Sequence, residues 1–115
     1  MKQKLDLFGQ RLRHLRLESG IEVQRLAELT GMNAKTLRNI EAGRFGTLAS
    51  TQSELAQALH VMEMDFYVWP GNHLRYDVVE LTRFLPPARL AQLKRELETE
   101  VAAQRQGQAQ VSKAR

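Results

Sequence analysis

Cysteine is absent from the 115 residues, which removes disulfides and thiolate metal sites. No apolar run approaches the roughly 20 residues of a membrane span. The first turn mixes Lys2, Lys4 and Asp6 with short apolar pairs, unlike a signal peptide. A soluble cytoplasmic protein with no membrane association is expected. Aromatic residues make up only 6% of the chain. Phe66, Tyr67 and Trp69 sit together beside Pro70-Gly71, a placement that suits a seam between two halves better than a base-stacking platform. His14, His60 and His73 stand at spacings that suit no metal site, and no nucleophile, base and orienting acid fall together. No metal, no cofactor and no enzymatic activity are expected.

The length fits one compact domain with a small appendage, which excludes a large enzyme. Seventeen basic against thirteen acidic side chains leave a net charge of +4, compatible with a polyanionic partner. The excess does not locate a binding face. Residues 1–70 carry nine basic and eight acidic side chains, and residues 71–115 carry eight and five. Locally the signal is better, because Arg11, Arg13, Arg16, Arg25, Lys35, Arg38 and Arg44 outnumber Glu18, Glu22, Glu28 and Glu41 between Phe8 and Arg44.

Leu5, Phe8, Leu12 and Leu15 recur at steps of three, four and three, which predicts a first helix stopped by Gly20 in a left-handed turn. Leu26, Ala27 and Leu29 give Glu22 to Thr30 an apolar face that ends at Gly31. Asn33 is a good N-cap for a third helix with Leu37 and Ile40 inward and Gly43 at its close. A fourth helix is expected from Thr47 to His60, burying Leu48, Leu55 and Leu59, and a fifth, shorter one from Met62 to Val68.

Pro70-Gly71 is the strongest break and marks a first domain over residues 1–69. Beyond it, Leu74, Val78, Leu81 and Leu85 form one apolar stripe. After Pro86-Pro87, Leu90, Leu93, Leu97 and Val101 form another. Residues 73–104 are read as a helical module for dimerisation or a protein partner, with Leu93, Leu97 and Val101 at its contact face. Residues 105–115 are polar and low in complexity, and a disordered tail is expected there. The fold class is all-α: a five-helix domain followed by a C-terminal helical extension.

The segment from Val23 to Ala42 has a joint mechanical meaning. Two short helices crossing steeply need a small residue where their axes approach, which suits Ala27, and a tight turn of positive φ, which suits Gly31. Leu26, Met32, Leu37 and Ile40 can fill the space beneath, leaving the outer face of the second helix free to enter a major groove about 12 Å wide.

The blocks FGQRLRHLR, GIEVQRLAELTG, NAKTLRNIEAG and LAQALHV, in this order over roughly Asp6 to Tyr67, resemble the helix-turn-helix of the lambdoid phage repressor and Cro (XRE-like) family. The resemblance implies a repressor-like domain binding double-stranded DNA. It implies base contact by Ala34, Lys35, Arg38 and Asn39, and phosphate contact by Gln24, Arg25 and Arg44. It also implies an ion pair between Arg16, late in the first helix, and Glu41. Lys and Arg suit guanine, Asn suits adenine, and Ala34 could touch only a thymine methyl. Two stretches depart from the pattern. Glu22 and Val23 stand where the family often has Ser or Thr followed by Gln, and Gly46 to Ala49 replace the Pro and bulky apolar residue that often lead into the fourth helix.

Three functions follow as expectations. The first is a transcriptional regulator, a repressor or autoregulator reading a palindrome as a homodimer. The second is an antitoxin-like protein whose C-terminal helices grip a protein such as a toxin. The third is an adaptor without DNA binding, suggested by Ala34 and Val23 at positions where the family often places polar readers.

Overall fold

A computed structural model describes the backbone of residues 4–113 and the side chains of residues 7–108. It consists of α1 (Lys4–Glu18), α2 (Val23–Thr30), α3 (Ala34–Glu41), α4 (Ala49–Leu59), a 3-10 turn (Glu63–Tyr67), α5 (Leu74–Thr82) and α6 (Pro87–Lys113). No strand occurs among the described residues. Two compact units divide the chain, Met1–Asp77 and Val78–Arg115.

In the first unit Phe8, Leu12 and Leu15 from α1 meet Leu26 and Ala27 from α2, Leu37 and Ile40 from α3, and Leu55, Ala56 and Leu59 from α4. Phe66 closes this core, fully buried, with its ring centroid 5.3 Å from that of Phe8. Burying each large side chain contributes about 1.5–3 kcal/mol, so this core is the main support of the unit. Gly9 permits the closest approach in it. A Cβ there would lie 2.3 Å from the Ile40 carbonyl oxygen and 2.6 Å from that of Glu41, so α1 crosses the end of α3 over a bare backbone. Arg11 is buried on the same helix and its Nε donates to the Asp65 carbonyl at 2.7 Å, fastening the 3-10 turn to α1. The Asp65 carboxylate in turn accepts from the Met62 amide at 2.9 Å.

The second unit contains the end of α5 and all of α6. Pro87 opens α6, where a missing amide hydrogen costs nothing. Arg83 pairs with Glu80 and lies over the Phe84 ring, 4.8 Å from its centroid, at the turn between the helices. Each apolar stripe keeps members open to solvent. Leu81 is 66% exposed and Leu97 48% exposed.

Several sequence expectations are corrected. Leu48 is not buried but is the N-cap residue of α4, 74% exposed, because the helix starts at Ala49 rather than Thr47. Met62 to Val68 holds only a 3-10 turn, since Asp65 caps the Met62 amide and draws the chain into a tighter coil. Phe66 lies in the core rather than at a seam. The boundary between units falls after Asp77, later than Pro70-Gly71, because Trp69 stacks edge-on against Tyr76 at 6.3 Å and the Gly71 amide donates to Asp77 at 2.5 Å. Over residues 105–113 the chain is helical, not disordered. Ala, Gln and Arg are good helix formers, and the lone Gly107 costs only about 1 kcal/mol. The Leu5 side chain and residues 114–115 lie outside the described residues.

Candidate nucleic-acid interface

The turn between α2 and α3 is built from three local devices. Gly31 takes φ 72°, a left-handed conformation that a side chain would strain. The Thr30 hydroxyl donates to the Leu26 carbonyl at 2.8 Å and accepts from the Met32 amide at 3.3 Å, tying off the last turn of α2. The Asn33 side chain accepts from the Lys35 amide at 2.8 Å and fixes where α3 begins. At the other end of the motif Glu22 is the N-cap of α2 and makes no side-chain capping bond, as the departure from Ser or Thr leads one to expect.

Arg16 and Glu41 lock α3 to α1. Arg16 Nε and Nη2 donate to the two Glu41 carboxylate oxygens at 2.7 and 3.0 Å, a two-pronged pair in which both side chains are only 8% exposed. Arg16 Nη1 donates to the Ile21 carbonyl at 2.8 Å, which ties in the turn before α2. One side chain thus fixes α1, α2 and α3 together, while Leu37 and Ile40 hold the inner face of α3.

The outer face of α3 carries Lys35 and Arg38, both exposed and three residues apart. Neither forms an ion pair among the described residues. Asn39 is half-buried and its side-chain oxygen accepts from Arg44 Nη1 at 3.1 Å. Ala34 is half-buried and packs against the core, leaving only part of its methyl outward. Of the residues expected at phosphates, Gln24 is exposed and Arg25 pairs with Glu28 at 3.1 Å across the surface of α2. Arg44 follows Gly43, whose φ of 78° turns the chain out of α3.

Sequence reasoning missed two participants. Gly9 sets the height of α3 over α1, and its one signal was a small residue beside Phe8 on an otherwise bulky apolar face. Arg13 was counted among the local basic residues but given no task. It is exposed one turn before Arg16 and lines a cleft with Arg38. Arg11 and Arg16 are both buried, so two of the seven local cations serve the fold. The histidines occupy separate places: His14 Nε2 lies 3.2 Å from the Glu18 carboxylate, His60 caps α4 with φ 56°, and the His73 ring packs against Tyr76. No helix among the described residues is long and apolar enough to cross a membrane.

A family model described as a helix-turn-helix domain matches residues 7–65, about half of the chain. Among solved structures the restriction-modification controller protein C.AhdI from Aeromonas hydrophila is 32% identical, with a TM-score of 0.53 over 54% of this chain and 94% of its own. A transcriptional regulator of the HTH_3 family from Vibrio cholerae is 25% identical, with a TM-score of 0.53 over 55% of this chain and 35% of its own. The clp gene regulator ClgR from Corynebacterium glutamicum shares the fold at 20% identity, with a TM-score of 0.56 over 86% of this chain and 95% of its own. A comparison with curated proteins finds no match.

Proposed function

We propose that this chain, which belongs to the helix-turn-helix domain family and is a DNA-binding transcriptional regulator, reads a two-fold symmetric duplex site as a homodimer. The observation that carries this reading is the outer face of α3. It presents Lys35 and Arg38, neither ion-paired among the described residues, on a helix that the Arg16–Glu41 pair holds to the core. In the major groove Lys35 and Arg38 meet guanine O6 and N7, and Ala34 brings at most a methyl contact. Asn39 reaches an adenine only by sharing its oxygen with Arg44, and Arg44 is assigned to a phosphate beside it. Gln24 and Arg25 are exposed at the start of α2, where they meet phosphates of the same groove. The protein acts in the cytoplasm, and its role calls for no catalytic step.

Dimerisation is assigned to α6. One reading helix covers a half-site, so a symmetric site needs two copies about one DNA turn, roughly 34 Å, apart. Leu90, Leu93, Leu97 and Val101 line an open apolar groove of about 830 Å³ on α6, and an uncovered stripe of this kind marks an association surface.

Selection of binding sites from a random duplex pool tests the reading. The wild type should enrich one motif repeated with two-fold symmetry, and Arg38→Ala should relax one position of each half at a cost of about 1–3 kcal/mol. Enrichment of no motif would contradict it.

A further inference from the structure

Arg38 has a ready partner in its own helix, because Glu41 lies three residues further on, the spacing at which side chains of a helix meet. That pairing does not form. Both Glu41 carboxylate oxygens are taken by Arg16, whose remaining bond goes to the Ile21 carbonyl. The buried pair cancels its own charge and becomes the neutral floor of a cleft of about 250 Å³, with Arg13 and Arg38 in its lining and Val23 and Ala42 completing it. Arg13 comes from α1 and Arg38 from α3, both exposed and neither ion-paired among the described residues. The cleft therefore offers two guanidinium groups and no uncompensated acid.

We propose that this cleft seats one phosphodiester of the bound duplex, with Arg13 as a phosphate-contacting residue and Arg38 as the wall it shares with the reading face of α3. The inference rests on the DNA-binding reading above and adds a contact from α1 to it. The Arg13 guanidinium suits the task, since it presents paired N–H donors to phosphate oxygens. The anion is a backbone phosphate rather than a free metabolite, because Arg38 belongs to the helix that carries Lys35 into the groove. Arg16 has a positioning role: by occupying Glu41 it keeps Arg38 available.

The test is the salt dependence of binding by the full-length protein, on a duplex selected from a random pool by the wild type and on a scrambled duplex of equal length. Arg13→Gln should weaken binding to both by the same factor, roughly tenfold. The slope of log K against log salt should fall by about 0.9 for each cleft engaged, hence by about 1.8 for a dimer on a full site. Arg13→Lys should retain most of the slope. In an Arg38→Gln background the Arg13→Gln loss should shrink, because the cleft that seats the phosphate loses the Arg38 wall. An unchanged slope in Arg13→Gln overturns the proposal, and so does a loss confined to the selected sequence, which would make Arg13 a reader of bases. A wild type that binds neither duplex overturns the DNA-binding reading itself, and this inference with it.

Discussion

Glu41 accepts from Arg16 through both of its carboxylate oxygens. The pair is buried, so removing either partner strands a charge inside the domain. Such a loss costs about 3–5 kcal/mol, against roughly 0–1 kcal/mol for an exposed pair. Glu41→Ala should accordingly lower the midpoint of urea unfolding strongly, while Arg25→Ala, which breaks the exposed pair with Glu28, should leave it nearly unchanged. Equal midpoints for the two variants would contradict the role given to Glu41. Glycines offer a second contrast at this scale. Gly9→Ala pushes a methyl into the Ile40 and Glu41 carbonyls, which cannot swing aside as a flexible side chain would. It should destabilise by about 1–3 kcal/mol. At Gly107 an added Cβ meets nothing within 4 Å, so Gly107→Ala should stabilise the helix by up to about 1 kcal/mol. Thermal melts and helical ellipticity of the two variants distinguish these outcomes. The Arg16–Glu41 pair was visible in the sequence only through the family resemblance, because its partners lie 25 residues apart. Gly9 left only the small residue beside Phe8 as a signal, because a close approach between backbones leaves no periodic trace.

Where a helix begins and ends was legible when a local device set the boundary. Asn33 caps α3 through its own side chain, and Gly20, Gly31 and Gly43 take the left-handed conformations expected of them. Where no such device exists, the reading failed. Leu48 has an apolar side chain that pattern matching assigns to the core, yet it stands outside the first turn of α4 and is exposed. The polar composition of residues 105–113 suggested disorder because it offers little to bury, whereas α6 continues to Lys113, as a run rich in helix formers allows. The stripe on α6 was legible as amphipathic, but periodicity cannot say what covers it. For the proposed dimer, Leu93→Asp together with Leu97→Asp should give a monomer with unchanged helical content, measured by sedimentation and circular dichroism. The double variant remaining dimeric, or the wild type being monomeric at high micromolar concentration, would give the groove to a different protein.

Over the whole chain there are two compact units, and their border falls at Asp77 rather than Pro70-Gly71, where Trp69 packs on Tyr76. The first unit holds the helix-turn-helix and its buried lock, and the second carries the apolar groove of α6. The net charge of +4 is small for a DNA-binding surface. Affinity must therefore come from where cations stand, and Arg13, Lys35, Arg38 and Arg44 are the exposed ones around α3. Raising salt should weaken binding steeply, and it should do so less steeply for a variant lacking one of these charges. The most direct measurement is sequencing of duplexes selected from a random pool by the wild type and by Lys35→Ala in parallel. The account predicts a two-fold symmetric motif with half-sites about one helical turn apart for the wild type, and the same motif with reduced preference at one position per half for Lys35→Ala. An identical motif of identical strength from both proteins, or no motif from either, would contradict the claim that α3 reads DNA.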